Sequence, residues 1–330
     1  MKVNDIRPDA LLAGQREAMQ QDIDLVNSWS DRFVAVDCPA CGAITAEDVY
    51  EKYGMSHRRC AECRTQYISP RPTPQMLAEF YSVSQNYAYW AKHIYPASAE
   101  VRREKIFRPR AELVERLCRA RGLDGGAVLE VGTGYGIFCE ELAKRGLFDR
   151  IAGLEPSPRL AEIGREKGIE ILESTFEETQ LTFDADVVAS FEVIEHLFEP
   201  EDFVRWIYSA LRSGGVVIIT CPNIEGLDTL LLGREAIAVD HQHLNYFNPD
   251  SLQALLQRVG FSEIEVTTPG VMDVDLLRRG VTAGQVSDEF LGPVLARLLR
   301  RDDPELDEQL QALVQNARLS SNMMAVARKI

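Results

Sequence analysis

The feature that most constrains this chain is a glycine-rich turn. In VLEVGTGYGIF (residues 128–138) an apolar run leads into Gly132, Gly134 and Gly136 and then into a helical pattern. Glycine lets the backbone turn sharply and lets a ligand approach without a Cβ clash. The N–H groups opening the following helix favour a carboxylate or phosphate. Around this turn the chain alternates between two periodicities. Strands are expected at 127–131, up to Glu155, at 168–172, 185–191 and 214–221, and helices at 137–145, 158–167 and 200–211. Such alternation implies an α/β fold, a parallel sheet with helices on both faces. The tail adds a helix at 249–259, a strand at 262–268, a charged helical insertion at about 273–318 and a last strand, MMAVARK.

The N-terminal third has a different texture. Residues 9–29 space Leu11, Leu12, Met19, Ile23 and Val26 as one helix face would. A further helix is expected from Pro74, and another over 107–121 that Pro109 opens or kinks. Between them, CPAC (38–41) and CAEC (60–63) give C-x2-C-x18-C-x2-C. Each C-x-x-C makes a knuckle presenting two thiolates to one ion, so Cys38, Cys41, Cys60 and Cys63 read as a structural zinc site with a closed coordination sphere. Gly42 permits the turn after the first pair, His57 is expected at the surface with replacement of one zinc ligand as its alternative, and Cys118, Cys139 and Cys221 read as small buried hydrophobes. The expected organisation is an N-terminal helix (1–32), a zinc-ribbon-like module (33–75), a helical connector or lid (76–122) and a catalytic domain (123–330).

Charge narrows the function. The 51 acidic against 36 basic residues leave a net charge of −15. Nucleic acid is therefore disfavoured as a partner, because its binding releases counterions only where Lys and Arg line the contact. The first 26 residues are charged throughout, without the apolar core of a signal peptide, and no apolar run approaches a membrane span. A cytoplasmic protein without a membrane partner is expected.

For the glycine turn two ligands compete. A dinucleotide fold wants G-x-G-x-x-G, but here the third glycine arrives one residue early and Ile137 follows it. The spelling E-x-G-x-G-x-G instead resembles class I S-adenosylmethionine (SAM) methyltransferases, and the resemblance extends over about 110–330. It implies a Rossmann-like seven-stranded methyltransferase sheet. It also implies that Glu155, in GLEPSP, binds the ribose hydroxyls and that Glu130 supports the methionine end of SAM. Phe176 and Glu177 would fall beside the adenine, and Phe191 and Glu192, in FEVIEHL, would run beneath SAM and face the acceptor. RSGGVVIITCPN resembles the fifth strand of that family. The stretch RTQYISPRPTPQMLAEFYSVSQNYAYW (64–90) resembles the N-terminal module of bacterial methyltransferases of sugars and natural products, including zinc-containing sugar C-methyltransferases. Those sugar enzymes usually carry a further C-terminal domain, whereas MMAVARK resembles the closing strand of the methyltransferase sheet.

Methyl transfer needs alignment of the acceptor and, where the acceptor carries a proton, a base. Histidine suits the second task. His196 follows the fourth strand, while His241 and His243, in DHQHLNYFNPDSL, follow the fifth and by resemblance border the acceptor. The alternative for each is a brace for its turn, and for the H-x-H pair also a metal site, disfavoured because the sequence shows no third ligand. Tyr81, Tyr87, Tyr89 and Trp90 would form either a lid over SAM, with Tyr87 on the SAM side, or an aromatic bridge between modules. The insertion would serve as an acceptor cover or a homodimer surface. The expected function is O- or C-methylation of a small-molecule acceptor, a sugar or natural-product intermediate. The alternatives are a non-catalytic zinc- and SAM-binding module that binds a partner protein, and an NAD-dependent oxidoreductase, disfavoured by Ile137.

Overall fold

The computed structural model describes residues 1–301 and 303–330. Among these residues there are eleven strands. Three lie in the cysteine-bearing stretch: β1 (Ala46–Lys52), β2 (Met55–Cys60) and β3 (Gln66–Ile68). Five alternate with helices: β4 (Ala127–Val131), β5 (Arg150–Leu154), β6 (Glu170–Leu172), β7 (Ala185–Phe191) and β8 (Leu211–Pro222). The last three are β9 (Asn245–Tyr246), β10 (Phe261–Thr267) and β11 (Asn322–Lys329). The chain divides into two compact units. One comprises residues 1–98, 222–252 and 266–324, the other residues 99–221, 253–265 and 325–330.

The seven-stranded sheet runs in the order β10-β11-β8-β7-β4-β5-β6. Its pairings from β6 through β5, β4 and β7 to β8 are all parallel. This is the parallel sheet expected from the alternation and the Rossmann-like sheet that the resemblance implies. Every residue of β4 is buried, as befits a strand covered on both faces and therefore apolar along its length. Helix Pro200–Ala210 turns Phe203, Val204 and Ile207 inward, one stripe of a helical period. The chain lays β5 and β6 on one side of β4 and then returns to place β7 on the other. That reversal opens a crevice at the carboxyl ends of the strands, where open α/β sheets bind ligands.

The first unit carries a four-stranded sheet in the order β1-β2-β3-β9. β1 and β2 form an antiparallel hairpin, Lys52 opposite Met55. Both turn residues, Tyr53 and Gly54, have left-handed φ (55° and 75°), as the tight hairpin turn that matches strand twist requires. A core of Val26, Trp29, Met55, Ile68, Phe80, Leu244 and Tyr246 packs this sheet against helix Leu12–Asn27 and helix Pro74–Val83. The insertion is helical, with segments Asp273–Thr282, Asp288–Leu299 and Pro304–Asn316, and residue 302 lies outside the described residues. Val274, Leu277 and Leu299 cluster among these helices.

One finding adds detail to the sequence reading and one departs from it. Residues 85–120 are helical, with widened π turns at Trp90–Ile94 and Arg103–Phe107. The second of these turns directly precedes Arg108–Ala120, where Pro109 occupies the first turn, as a residue lacking an N–H prefers. His57 is not at the surface: it is 1% exposed. Its ring lies 4.6 Å from that of Tyr50 and 5.4 Å from that of Tyr246, because strand alternation turns Met55 and His57 to the same inner face. Burial, with Lys52 nearby, lowers its pKa to about 4.

Candidate active site

The glycine turn leaves β4 and enters helix Ile137–Ala143. Gly132 has a φ of +76°, and a Cβ there would lie 2.5 Å from the Val193 side chain. Gly134, with φ +54°, faces open space within 4 Å of where its Cβ would be. Gly136 is the residue immediately before the helix. Glu155, 6% exposed, closes the far side of the turn. Its Oε2 accepts the Gly134 N–H at 2.8 Å and its Oε1 the Ser157 N–H at 2.9 Å. Two backbone donors thus orient the carboxylate, and each oxygen retains a lone pair for a ligand hydroxyl. Burial raises its pKa against those two hydrogen bonds.

Behind the turn sits Glu130, 3% exposed. The Thr133 hydroxyl donates to its Oε2 at 2.5 Å and the Cys139 thiol at 3.1 Å. Burial pushes Glu130 up to about 7 despite these donors and Arg110. Phe176 packs edge-on against Phe203 at 5.1 Å and Trp206 at 6.1 Å, and Glu177 beside it is exposed.

At the end of β7, Phe191 packs edge-on against Phe138 and lies 4.7 Å beneath the Arg110 guanidinium. Glu192 has a left-handed φ of +59°. Its N–H donates to the Thr220 carbonyl at 3.0 Å, and its Oε1 accepts the Thr220 hydroxyl at 2.6 Å. A non-glycine residue persists in that region where its surroundings over-determine it, a pattern concentrated at functional sites. Arg110 also pairs with Glu192 at 3.6 Å. Glu195 is buried, which together with Glu192 raises its pKa well above the usual carboxylate range. His196 Nε2 lies 4.0 Å from Glu195. All these residues belong to the second unit.

Tyr87, His241 and His243 belong to the first unit. Tyr87, 40% exposed, meets Tyr81 edge-on at 5.5 Å. The His241 ring is buried, with Nδ1 2.8 Å from Asp240 and Nε2 3.6 Å from Asp22. Burial lowers its pKa, but the two carboxylates overcome that and hold it up to about 9. Both ring nitrogens face carboxylates, the arrangement of a brace for this turn. His243 differs. Its Nδ1 lies 2.8 Å from the Ala238 carbonyl, an acceptor only, which places the proton on Nδ1 and leaves Nε2 as the basic nitrogen.

The cysteine centre also lies in the first unit. The four sulfurs lie within 4.8 Å of one another, with Cys38 3.4 Å from Cys63 and Cys41 3.5 Å from Cys60. Zinc–thiolate bonds of ~2.3 Å in a tetrahedron place sulfurs about 3.8 Å apart, so this donor set is compatible with zinc. The knuckles are built alike. Cys38 N–H bonds the Ala43 carbonyl as Cys60 N–H bonds that of Thr65, and Gly42 N–H bonds the Cys38 carbonyl as Arg64 N–H bonds that of Cys60. Gly42 and Arg64 both have left-handed φ, 74° and 62°. The hydrogen bond between Cys38 and Cys63 lowers the Cys63 pKa and raises that of Cys38, so the pair shares one proton and favours one thiolate, the form that binds metal.

A family profile described as a methyltransferase domain matches residues 99–266, half of the chain. The chain belongs to the SAM-dependent methyltransferases. It is 26% identical over 164 residues to ubiquinone biosynthesis O-methyltransferase of Vibrio parahaemolyticus, covering 45% of this chain and 69% of the relative. It is 31% identical over 160 residues to the mitochondrial ubiquinone biosynthesis O-methyltransferase of Rattus norvegicus, covering 42% of this chain and 45% of the relative. Among solved structures, an amino pentose methyltransferase from Micromonospora echinaspora involved in calicheamicin biosynthesis is 27% identical, covers 38% of this chain and 55% of that chain, and superposes with a TM-score of 0.35.

SAM is the cofactor that this family implies, and the turn of this methyltransferase fits it: open space at Gly134, an oriented Glu155 and a buried Glu130. Sequence reasoning had passed over Thr133, Thr220 and Arg110. Thr133 stands inside the glycine motif and was legible there as a hydroxyl beside Glu130. Arg110 comes from a helix with no motif of its own, and only the fold brings it to Phe191 and Glu192.

Proposed function

We propose that this methyltransferase methylates a small-molecule acceptor, on oxygen or carbon, in a sugar or natural-product intermediate. The observation that carries the reading is the pair of backbone N–H groups, Gly134 and Ser157, that aim both Glu155 oxygens beside an open glycine. Bound SAM would supply an electrophilic methyl group. Glu155 would hold its ribose hydroxyls, Glu130 its methionine end, and Phe176 with Glu177 would flank the adenine. Phe191 and Glu192 would line its underside.

For a hydroxyl acceptor the chain must also remove a proton. His243 is suited to it, since the Ala238 carbonyl fixes its tautomer with the proton on Nδ1. His196 is the second candidate, beside buried Glu195. His241 braces the segment that carries His243. The names of the ubiquinone biosynthesis O-methyltransferases support oxygen as the acceptor atom. Zinc in the four-cysteine centre would be structural, because four protein thiolates leave no open position. The net charge of −15 supports an acceptor other than nucleic acid.

The test is incubation of the zinc-loaded protein with SAM and fractionated metabolite pools, followed by mass spectrometry for S-adenosylhomocysteine and a product heavier by one methylene. SAM binding without turnover on any pool would point instead to a non-catalytic module. With an acceptor in hand, His243→Ala should lower kcat by about 100-fold or more. Unchanged turnover removes His243 as the base and leaves His196 to be tested likewise.

A further inference from the structure

The strand that completes the cysteine-bearing sheet is distant in sequence from the rest of it. β9 pairs antiparallel with β3, Tyr246 opposite Gln66 and Asn245 opposite Tyr67, and the Ile68 N–H extends the ladder to the Leu244 carbonyl at 2.9 Å. β3 begins three residues after Cys63, and β9 begins two residues after His243. At the far end Asn248, 0% exposed, donates its side-chain amide to the Cys63 carbonyl at 2.9 Å. Its own Oδ1 accepts the Asp250 and Ser251 N–H groups that open helix Pro249–Val259. One side chain thus joins the second cysteine knuckle to the helix that ends the histidine segment.

We propose that the cysteine centre, besides stabilising its own ribbon, positions the histidine segment, and that Asn248 is the positioning residue coupling the two. A strand of two residues is too short to hold its register alone. The knuckle makes up the deficit: closing Cys60 and Cys63 on one ion fixes the start of β3, and β3 with Asn248 fixes residues 244–248. His243, at the near end, then keeps its Nδ1–H on the Ala238 carbonyl. Coupling of this kind is reciprocal, so a well-set histidine segment also retains the metal. The inference rests on the reading above that zinc fills the centre and that His243 serves the acceptor. Its test needs no acceptor, so a wrong acceptor leaves the test intact, and failure to bind zinc at all shows as metal content.

The test compares the full chain, zinc-loaded and chelated, by amide hydrogen exchange, with the ring-nitrogen shifts of His243 read in a long-range 15N spectrum. Chelation should speed exchange of residues 244–248 about tenfold or more, leave β4 and β7 unchanged, and convert His243 from the Nδ1–H tautomer to a mixture. Asn248→Ser keeps a helix-capping oxygen, adds no charge and is too short to donate to the Cys63 carbonyl. That variant, zinc-loaded, should show the same tautomer mixing and release zinc to a competing chelator about tenfold faster. His243 unchanged in both experiments overturns the proposal. So does a loss of protection that spreads through β4 and β7, since zinc would then hold the whole chain and not this segment.

Discussion

The backbone N–H of Gly134 donates to Oε2 of Glu155 at 2.8 Å, so the glycine turn and the acidic strand end form one ligand-facing unit. Neither half suffices alone, because a strand-end carboxylate in water is unoriented and a glycine turn offers no hydroxyl acceptor. Glu155→Ala should therefore weaken SAM by about 1.5–3 kcal/mol, roughly 10- to 150-fold in Kd. Calorimetric titration with SAM checks this, and a Kd within threefold of wild type would remove Glu155 from the ribose site.

The glycines of the turn should fail in different ways. A methyl at Gly132 meets Val193 at 2.5 Å in addition to the strain of a +76° φ, so Gly132→Ala should cost roughly 2–4 kcal/mol of stability. Gly134→Ala meets nothing within 4 Å, leaving only about 1 kcal/mol for its left-handed φ. That methyl would stand where the ligand is expected, so Gly134→Ala should stay folded and lose SAM affinity more than tenfold. Denaturant unfolding beside SAM titration separates the two. Equal loss of stability in both variants would contradict this assignment.

What the sequence disclosed was local. The parallel strands, the glycine turn and the paired cysteines each carry their signal within a dozen residues, where apolar runs, missing Cβ atoms and knuckle spacing act directly. The buried place of His57 was hidden because one of its ring partners, Tyr246, lies far along the chain. β9 was hidden because two residues have no periodicity to read. The bond from Arg103 to Glu141 at 2.6 Å and the pairing of Asp22 with His241 at 3.6 Å likewise join distant segments through charge, which leaves no spacing rule behind. The π turn at Arg103–Phe107 adds one residue to a helical turn, too small a change for any periodic signal.

Glu130 should make SAM binding depend on pH. Burial raises it from an ordinary 4.5 to about 7, so the folded protein without ligand holds a proton that the unfolded chain has released between those values. Its contribution to stability is accordingly most favourable below pH 4.5 and declines as pH rises through 7. If the ionised carboxylate receives the cationic methionine end, SAM affinity should rise with pH below 7, approaching tenfold per unit, and level off above it. Glu130→Gln should flatten that profile. Titrations from pH 5.5 to 8.5 decide it, and a wild-type profile as flat as the variant's would separate Glu130 from the cofactor.

His241 should matter to stability and not to cofactor binding. With buried Asp22 and half-buried Asp240 it forms a three-member ion cluster within the first unit. Removing the central cation leaves buried Asp22 and half-buried Asp240 without it, a loss of about 3 kcal/mol for His241→Ala. The sign with pH follows from its raised value. Because the folded pKa of about 9 exceeds the ordinary 6.5, the stabilisation is complete below pH 6.5 and is lost as pH rises through 9. Thermal unfolding of the wild type should thus shift downward between pH 7 and 9.5, and His241→Ala should lack that component. SAM affinity at pH 7 should be the same in both proteins, since His241, Asp22 and Asp240 are not among the residues assigned to the cofactor. A variant as stable as wild type, with an unchanged pH slope, would show that the cluster is not the brace described.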